Sequence, residues 1–190
     1  MSRLEADQSD GERSRATARV AGSPHGAGRL RRLAVLTLAT AAGAGYAPVA
    51  PGTVGSAVGV ALYALLASGG ALAVGLVALL ASGLGVWSAG EAEELFGRSD
   101  DGRIVIDEVA GQLVALWPLA LLAPPGHALA PLPLCIGFLA FRALDVAKPG
   151  PVGWAERRFE RGAGVMADDL VAGALSALVV AGAVLAGLAS

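Results

Sequence analysis

Gly164-Val165-Met166-Ala167-Asp168-Asp169 sets two adjacent carboxylates directly before the apolar run Leu170-Val171-Ala172-Gly173-Ala174-Leu175, and no charged residue follows Asp169. Two ionised side chains at the lip of a membrane-length helix are expensive unless something compensates them. Paired carboxylates are usually compensated by a hard divalent cation, which prefers oxygen ligands. Two other stretches have the same character. Ile104-Val105-Ile106-Asp107-Glu108 precedes a second apolar run, and Phe141-Arg142-Ala143-Leu144-Asp145-Val146-Ala147-Lys148-Pro149 closes a third.

Composition sets the class. The 190 residues allow one domain. The chain is 55% hydrophobic and only 16% charged, with a mean hydropathy of +0.63, whereas a soluble domain carries about 25% charged residues. This reads as a membrane protein. A net charge of −2, with no basic run interleaved with aromatics, excludes a nucleic-acid partner. The single Cys135 excludes an internal disulfide and a Cys-rich zinc site, and two histidines exclude most His-based metal sites.

Residues 1–28 are polar and mixed in charge, and read as a disordered tail ahead of one helical membrane domain, residues 29–190. Arg29, Arg31 and Arg32 before Leu33-Ala34-Val35-Leu36-Thr37-Leu38 resemble the start of a secretory signal, but Glu5, Asp7, Asp10 and Glu12 weigh against cleavage. Gly43, Gly45 and Pro48 break this run too early for a span, so a re-entrant or interfacial helix is expected over 33–47. From Leu33 to Gly90 there is no Asp, Glu, Lys or Arg, more than twice the ~20 residues of one span. The expected fold is all-α and multi-pass, with about four to five spans. The spans fall at about 54–68, 71–89, 109–123, 128–144 and 169–188.

The charges then fall on one side. The connections Ser68-Gly69-Gly70 and Ala123-Pro124-Pro125-Gly126-His127 carry no Lys or Arg, while 91–108 and 145–168 are polar. By the positive-inside rule the charged side is cytoplasmic. The same threading puts Thr53, Ser56, Asp107, Glu108, Arg142, Asp145, Lys148, Asp168 and Asp169 at one membrane face.

Each group has a plain and a chemical reading. Asp107 and Glu108 at a helix start can simply stabilise the helix dipole. Two acidic pairs on one face point instead to a metal, and Mg²⁺ suits carboxylate, water and phosphate oxygens. Arg142 and Asp145, three apart, share a helical face, with Lys148 three further on. They form either an internal salt bridge with a snorkelling Lys, or an anion site in which Asp145 orients Arg142 or touches the metal. Pro51-Gly52-Thr53-Val54-Gly55-Ser56 is a glycine-rich helix start with two hydroxyls, suited either to phosphate or to close helix packing, and it lacks the ending of a Walker loop. Cys135 to Arg142 does not have the spacing of a cysteine-phosphatase loop. A non-catalytic channel or transporter component is the competing class. It would carry carboxylates at mid-span depth and on both sides.

Together these motifs resemble the bacterial phosphatidylglycerophosphatase A family over roughly residues 46–180. They run in order: Pro51 to Ser56; Ile104 to Glu108 with Gly111; Phe141-Arg142 with Asp145 and Lys148-Pro149; and Gly164-Val165-Met166 with Asp168-Asp169 and Ala172-Gly173. The Gly150-Pro151 step departs from the family, which often has a bulkier residue between the prolines. The resemblance implies a Mg²⁺-dependent phosphatase of the bacterial inner membrane that converts phosphatidylglycerophosphate to phosphatidylglycerol. Its implied catalytic set is Asp107, Glu108, Asp145, Asp168 and Asp169. Asp107, Glu108, Asp168 and Asp169 would hold the metal, and Arg142, Lys148, Thr53 and Ser56 would bind phosphate. Either water or a carboxylate would attack phosphorus.

Overall fold

The computed structural model describes residues 24–124 and 126–189, with side chains from Gly28 onward. The expected tail falls mostly outside these residues, as does Pro125. The chain divides into two units, residues 1–34 and 35–190, and the boundary lies inside the first helix, α1, Pro24–Ala39. The larger unit continues with α2 (Pro51–Leu66), α3 (Gly70–Phe96), α4 (Ile106–Leu122), α5 (Pro131–Ala147), α6 (Gly150–Arg158) and α7 (Arg161–Leu185). Among the described residues every regular element is helical, as lipid demands of apolar runs whose backbone groups must be satisfied internally.

Local chemistry sets the ends. Proline occupies the first turn of α2, α5 and α6, where its missing N–H costs nothing. Gly97, left-handed at φ 68°, closes α3. Two stretches, Pro51–Phe96 and Arg161–Leu185, are long and apolar enough to cross a membrane. The first is broken by a 3-10 turn at Ala67–Gly69.

Helix α4 is the axis. Its buried side includes Val109, Ala110, Leu113, Leu116 and Leu119, and the other long helices of this unit pack around it. Their directions follow from the contacts. Gly52 and Gly59 of α2 lie against Glu108 and Gln112, so α2 runs parallel to α4. Helix α3 returns: the Trp117 indole N–H donates to the Ala71 carbonyl (2.8 Å), while Gly85 faces Ile106. Helix α5 is antiparallel, with Gly137 at Leu116 and Phe141 at Gly111; α7 is parallel, with Gly173 at Gly111 and Val180 beside Gly137. The α4–α7 crossing is made backbone to backbone. A Cβ on Gly111 would lie 2.6 Å from the Phe141 ring and 2.7 Å from the Asp169 carbonyl. Only glycine admits that approach.

Several element ends differ from expectation. Helix α3 runs through Glu91–Glu94 to Phe96 instead of ending near 89. The segment 145–168, read as a polar connection, contains α6 and the first two turns of α7. Asp168 and Asp169 therefore sit two turns inside a helix, not at its lip. Charged residues continue a helix where one of its sides still packs, as Gly162 does on Val86 and Gly90 of α3. Helix α1 ends at Ala39, and turns over 40–46 follow it, so the break comes slightly before the first of the breaking glycines.

Candidate active site

The polar ends of α2, α4, α5 and α7 meet at one end of the bundle, capped by α6. Asp107 and Glu108 lie in the first turn of α4 with no side-chain cap. Asp168 and Asp169 project from α7 two turns after its start, and Arg142 and Asp145 from the last turns of α5. Asp107, Asp168 and Asp169 are 8%, 6% and 3% exposed. The close α4–α7 crossing is what brings the two acidic pairs within reach.

The carboxylates form two triads that share one member. Oxygens of Asp107, Glu108 and Asp169 lie within 4.8 Å of one another, and so do those of Asp145, Asp168 and Asp169. Asp107 Oδ1, Glu108 Oε2, Asp168 Oδ1 and Asp169 Oδ2 are buried without a hydrogen-bond partner. Buried, crowded carboxylates are unfavourable in water-poor surroundings unless a cation joins them.

Two basic side chains flank the triads. Arg142 Nη1 pairs with Asp145 Oδ2 at 2.5 Å, lies 3.8 Å from Glu108 Oε1, and donates to Ser56 Oγ at 3.4 Å. The Ser56 hydroxyl, fully buried, also donates to the Gly52 carbonyl at 3.0 Å. Lys148 Nζ donates to Asp168 Oδ2 at 2.6 Å and to Glu156 Oε1 at 2.7 Å. Burial opposes the Lys148 charge, but those two carboxylates outweigh it and hold its pKa above the ordinary lysine range. An open cleft of about 380 Å³ lies over this point, lined by Glu93, Lys148, Glu156, Arg161 and Asp168 among others.

Lys148 departs from the sequence reading. It was expected on the Arg142–Asp145 face of one continued helix, yet α5 ends at Ala147 and Lys148 takes a left-handed conformation, φ 44° and ψ 54°. That conformation costs a non-glycine residue about 1 kcal/mol, offset here by the two ion pairs its amine reaches. Thr53 is exposed on the first turn of α2 and takes no part in the contacts that join the cluster.

Two contributors escaped sequence reasoning. Glu156 sits on α6, a helix that was not anticipated. Gln112 is fully buried with neither amide atom bonded, one turn below Glu108 and against Gly59 of α2. Its signal was present: the only polar side chain between Glu108 and Ala123 other than the Trp117 indole, four residues from a carboxylate.

An apolar helical bundle with carboxylates and basic side chains gathered at one end is an arrangement suited to a membrane-associated phosphatase. Residues 37–184 match the phosphatidylglycerophosphatase A family, and the chain belongs to it. It is 35% identical to phosphatidylglycerophosphatase A of Escherichia coli over 140 residues, 74% of this chain and 77% of that one. The Haemophilus influenzae enzyme of the same name is 30% identical over 145 residues, 75% and 84% of the two chains. A Bacteroides thetaiotaomicron protein, named as a candidate phosphatidylinositol-3-phosphatase, is 35% identical over 149 residues, 76% and 89% of the two chains. No solved structure matches the chain at a significant level.

Proposed function

We propose that this protein removes the terminal phosphate of phosphatidylglycerophosphate, with Mg²⁺, at the cytoplasmic face of the bacterial inner membrane. One observation carries the reading: five carboxylates and two basic side chains, from α4, α5, α7 and the residue that follows α5, meet at a single end of an apolar bundle. An ion channel would string its charges along the span instead.

Helices α2, α3, α4, α5 and α7 would each cross the membrane. Seventeen residues in α4 and in α5 give a length of about 26 Å, close to the hydrocarbon core. Exposed Leu65, Leu72, Leu79, Leu139 and Leu178 would face lipid. Among the described residues of the larger unit, the basic side chains lie on the segments next to the triads, 97–105 and 142–161, and the positive-inside rule would make that end cytoplasmic. A lipid phosphate headgroup lies at that depth.

The donor set fits Mg²⁺. The orphaned atoms of the triads are carboxylate oxygens, with no His or Cys among them. Asp107, Glu108 and Asp169 would hold it, with Asp168 and Asp145 on the second triad. When bound, the ion neutralises charge on the phosphoryl oxygens. Arg142 offers its planar fork to the phosphate, held in place by Asp145 and Ser56. Lys148, already turned out of its helix, supplies a point charge above Asp168. A water that attacks directly and a carboxylate that attacks first both suit this arrangement; trapping an aspartyl-phosphate selects the second.

The Bacteroides relative favours one further reading, a phosphatase acting on another lipid phosphate. Phosphate release by detergent-solubilised protein separates the two. Phosphatidylglycerophosphate, phosphatidic acid and phosphatidylinositol 3-phosphate are compared, each with Mg²⁺ and with EDTA. Mg²⁺-dependent release confined to the first is expected. Preference for either of the others discards the substrate but keeps the phosphatase.

A further inference from the structure

Two apolar grooves among the described residues open on the outer surface of the bundle. One, of about 320 Å³, lies between α3 and α4 and is lined by Gly75, Ala78, Leu79, Ser82, Val114 and Trp117. Trp117 marks the end remote from the triads, since its indole bonds Ala71 at the start of α3. The other, of about 380 Å³, lies between α2 and α5 and is lined by Ala57, Val60, Leu134, Cys135, Phe138 and Leu139.

Only the second leads to a phosphate-binding group. Ala57 directly follows Ser56, and Arg142 is one turn beyond Leu139 on α5. The Arg142–Ser56 hydrogen bond at 3.4 Å bridges α2 and α5 at the groove's polar end. Below that bridge the groove lies between the two helices, and Ala57, Cys135 and Leu139 stand exposed along it. From Leu134 to Arg142 the α5 wall runs about 12 Å along the helix axis. An apolar groove whose walls continue, within one helical turn, to an arginine and a buried hydroxyl complements an amphiphile whose charged phosphate joins a hydrocarbon chain. It does not complement a free phosphate.

We propose that the α2–α5 groove holds an acyl chain of the lipid substrate, seated so that the headgroup phosphate reaches Arg142. This rests on the phosphatase reading above and deepens it: substrate selection acts on the hydrocarbon as well as on the phosphate. The α3–α4 groove, without a cation at its mouth, holds only bulk lipid.

The test fills each groove and compares two substrates. Ala57→Trp blocks the α2–α5 groove and Leu79→Trp blocks the other. Each variant is assayed on dioleoyl phosphatidylglycerophosphate and on its acyl-free headgroup diester phosphate. Ala57→Trp should raise KM for the dioleoyl substrate at least tenfold and leave kcat/KM for the acyl-free one within twofold; Leu79→Trp should move neither. Equal losses on both substrates, or none on the dioleoyl one, would overturn the proposal.

Alkylation of Cys135, the chain's single cysteine, gives a readout independent of turnover. Dioleoyl phosphatidylglycerophosphate in detergent micelles should slow it several-fold, and the acyl-free compound should not. Equal slowing by phosphatidylglycerol assigns the groove to bulk lipid, and slowing that follows protein concentration assigns it to a second copy of the chain. Either result overturns the proposal. If wild-type protein releases phosphate from neither substrate, the phosphatase reading fails, while selective protection of Cys135 still supports the groove.

Discussion

Two seams of the bundle contrast. At the α4–α7 seam, Gly111 and Gly173 bring backbones together, and any Cβ there meets the opposite main chain. At the α2–α5 seam, a hydrogen bond from Arg142 to Ser56 spans the polar end, and an apolar groove opens beneath it. The closed seam holds carboxylates that repel one another and would otherwise spread. The open seam leaves room for a molecule that must enter and leave. Rigidity and access are thus built on different sides of one helix pair set.

Breaking the closed seam should have the largest effect. Gly173→Val places side-chain atoms against the Gly111 backbone and should destabilise by roughly 1–3 kcal/mol or more through overpacking. Phosphate release should become undetectable and the Tm in detergent should fall; a native Tm with full activity would show that the seam tolerates separation.

Next comes charge at that seam. Asp169→Asn removes the carboxylate shared by both triads. Activity should fall at least about 10³-fold, on the scale of an electrostatic catalytic group. Tm should hold or rise, because a crowded buried charge is gone. Retention of more than a tenth of the activity would remove Asp169 from the site.

The open seam should respond more gently. Gly52→Ala pushes on the Glu108 carboxylate and Arg142, whose flexible ends can shift. Turnover should drop about tenfold with Tm within a degree or two, read by phosphate release and thermal melting. Gln112→Leu is gentler still on stability. Replacing a buried amide with no partner by an apolar side chain is neutral or stabilising, so Tm should not fall, whereas kcat should drop several-fold if the amide serves Glu108. Unchanged kcat would make Gln112 a bystander.

The smallest effect lies away from both seams. The Arg103 side chain donates two hydrogen bonds to Asp101, at 2.7 and 2.8 Å, its backbone N–H a third at 3.1 Å, and its guanidinium stacks 3.8 Å from the Phe96 ring, pinning the 97–105 loop. The Arg103 hydrogen bond holds the Asp101 carboxyl below its usual range. A depressed carboxylate contributes stability that is present above its unfolded pKa of about 3.9 and lost as pH falls through the lower folded value. With Arg103 partly exposed, Asp101→Asn should cost under about 1 kcal/mol at pH 7, and melts of variant and wild type should converge on acidification below pH 4.

Much of this was legible in the sequence, for physical reasons. Long apolar runs have one way to satisfy their backbone in lipid, so the helices followed. A charge-free stretch from Leu33 to Gly90 and two polar connections required the carboxylates, Arg142 and Lys148 to gather at one end. The clustered carboxylates, the Arg142–Asp145 pair at helical spacing and the glycines at close approaches read from residue type and interval.

What the sequence could not decide depends on distances between helices, and no single-chain periodicity encodes those. The α7 start at Arg161 follows from packing on α3. The sharing of Asp169 between two triads follows from how near Gly111 and Gly173 let α4 and α7 approach. Lys148 leaves its helix just before Pro149, and its left-handed conformation goes with an amine bonded to Asp168 and Glu156 on two other helices. The groove beneath Arg142 is formed jointly by side chains of α2 and α5, which only their packing brings together. Sequence determined which residues share an end of the bundle; tertiary structure decided which of them touch.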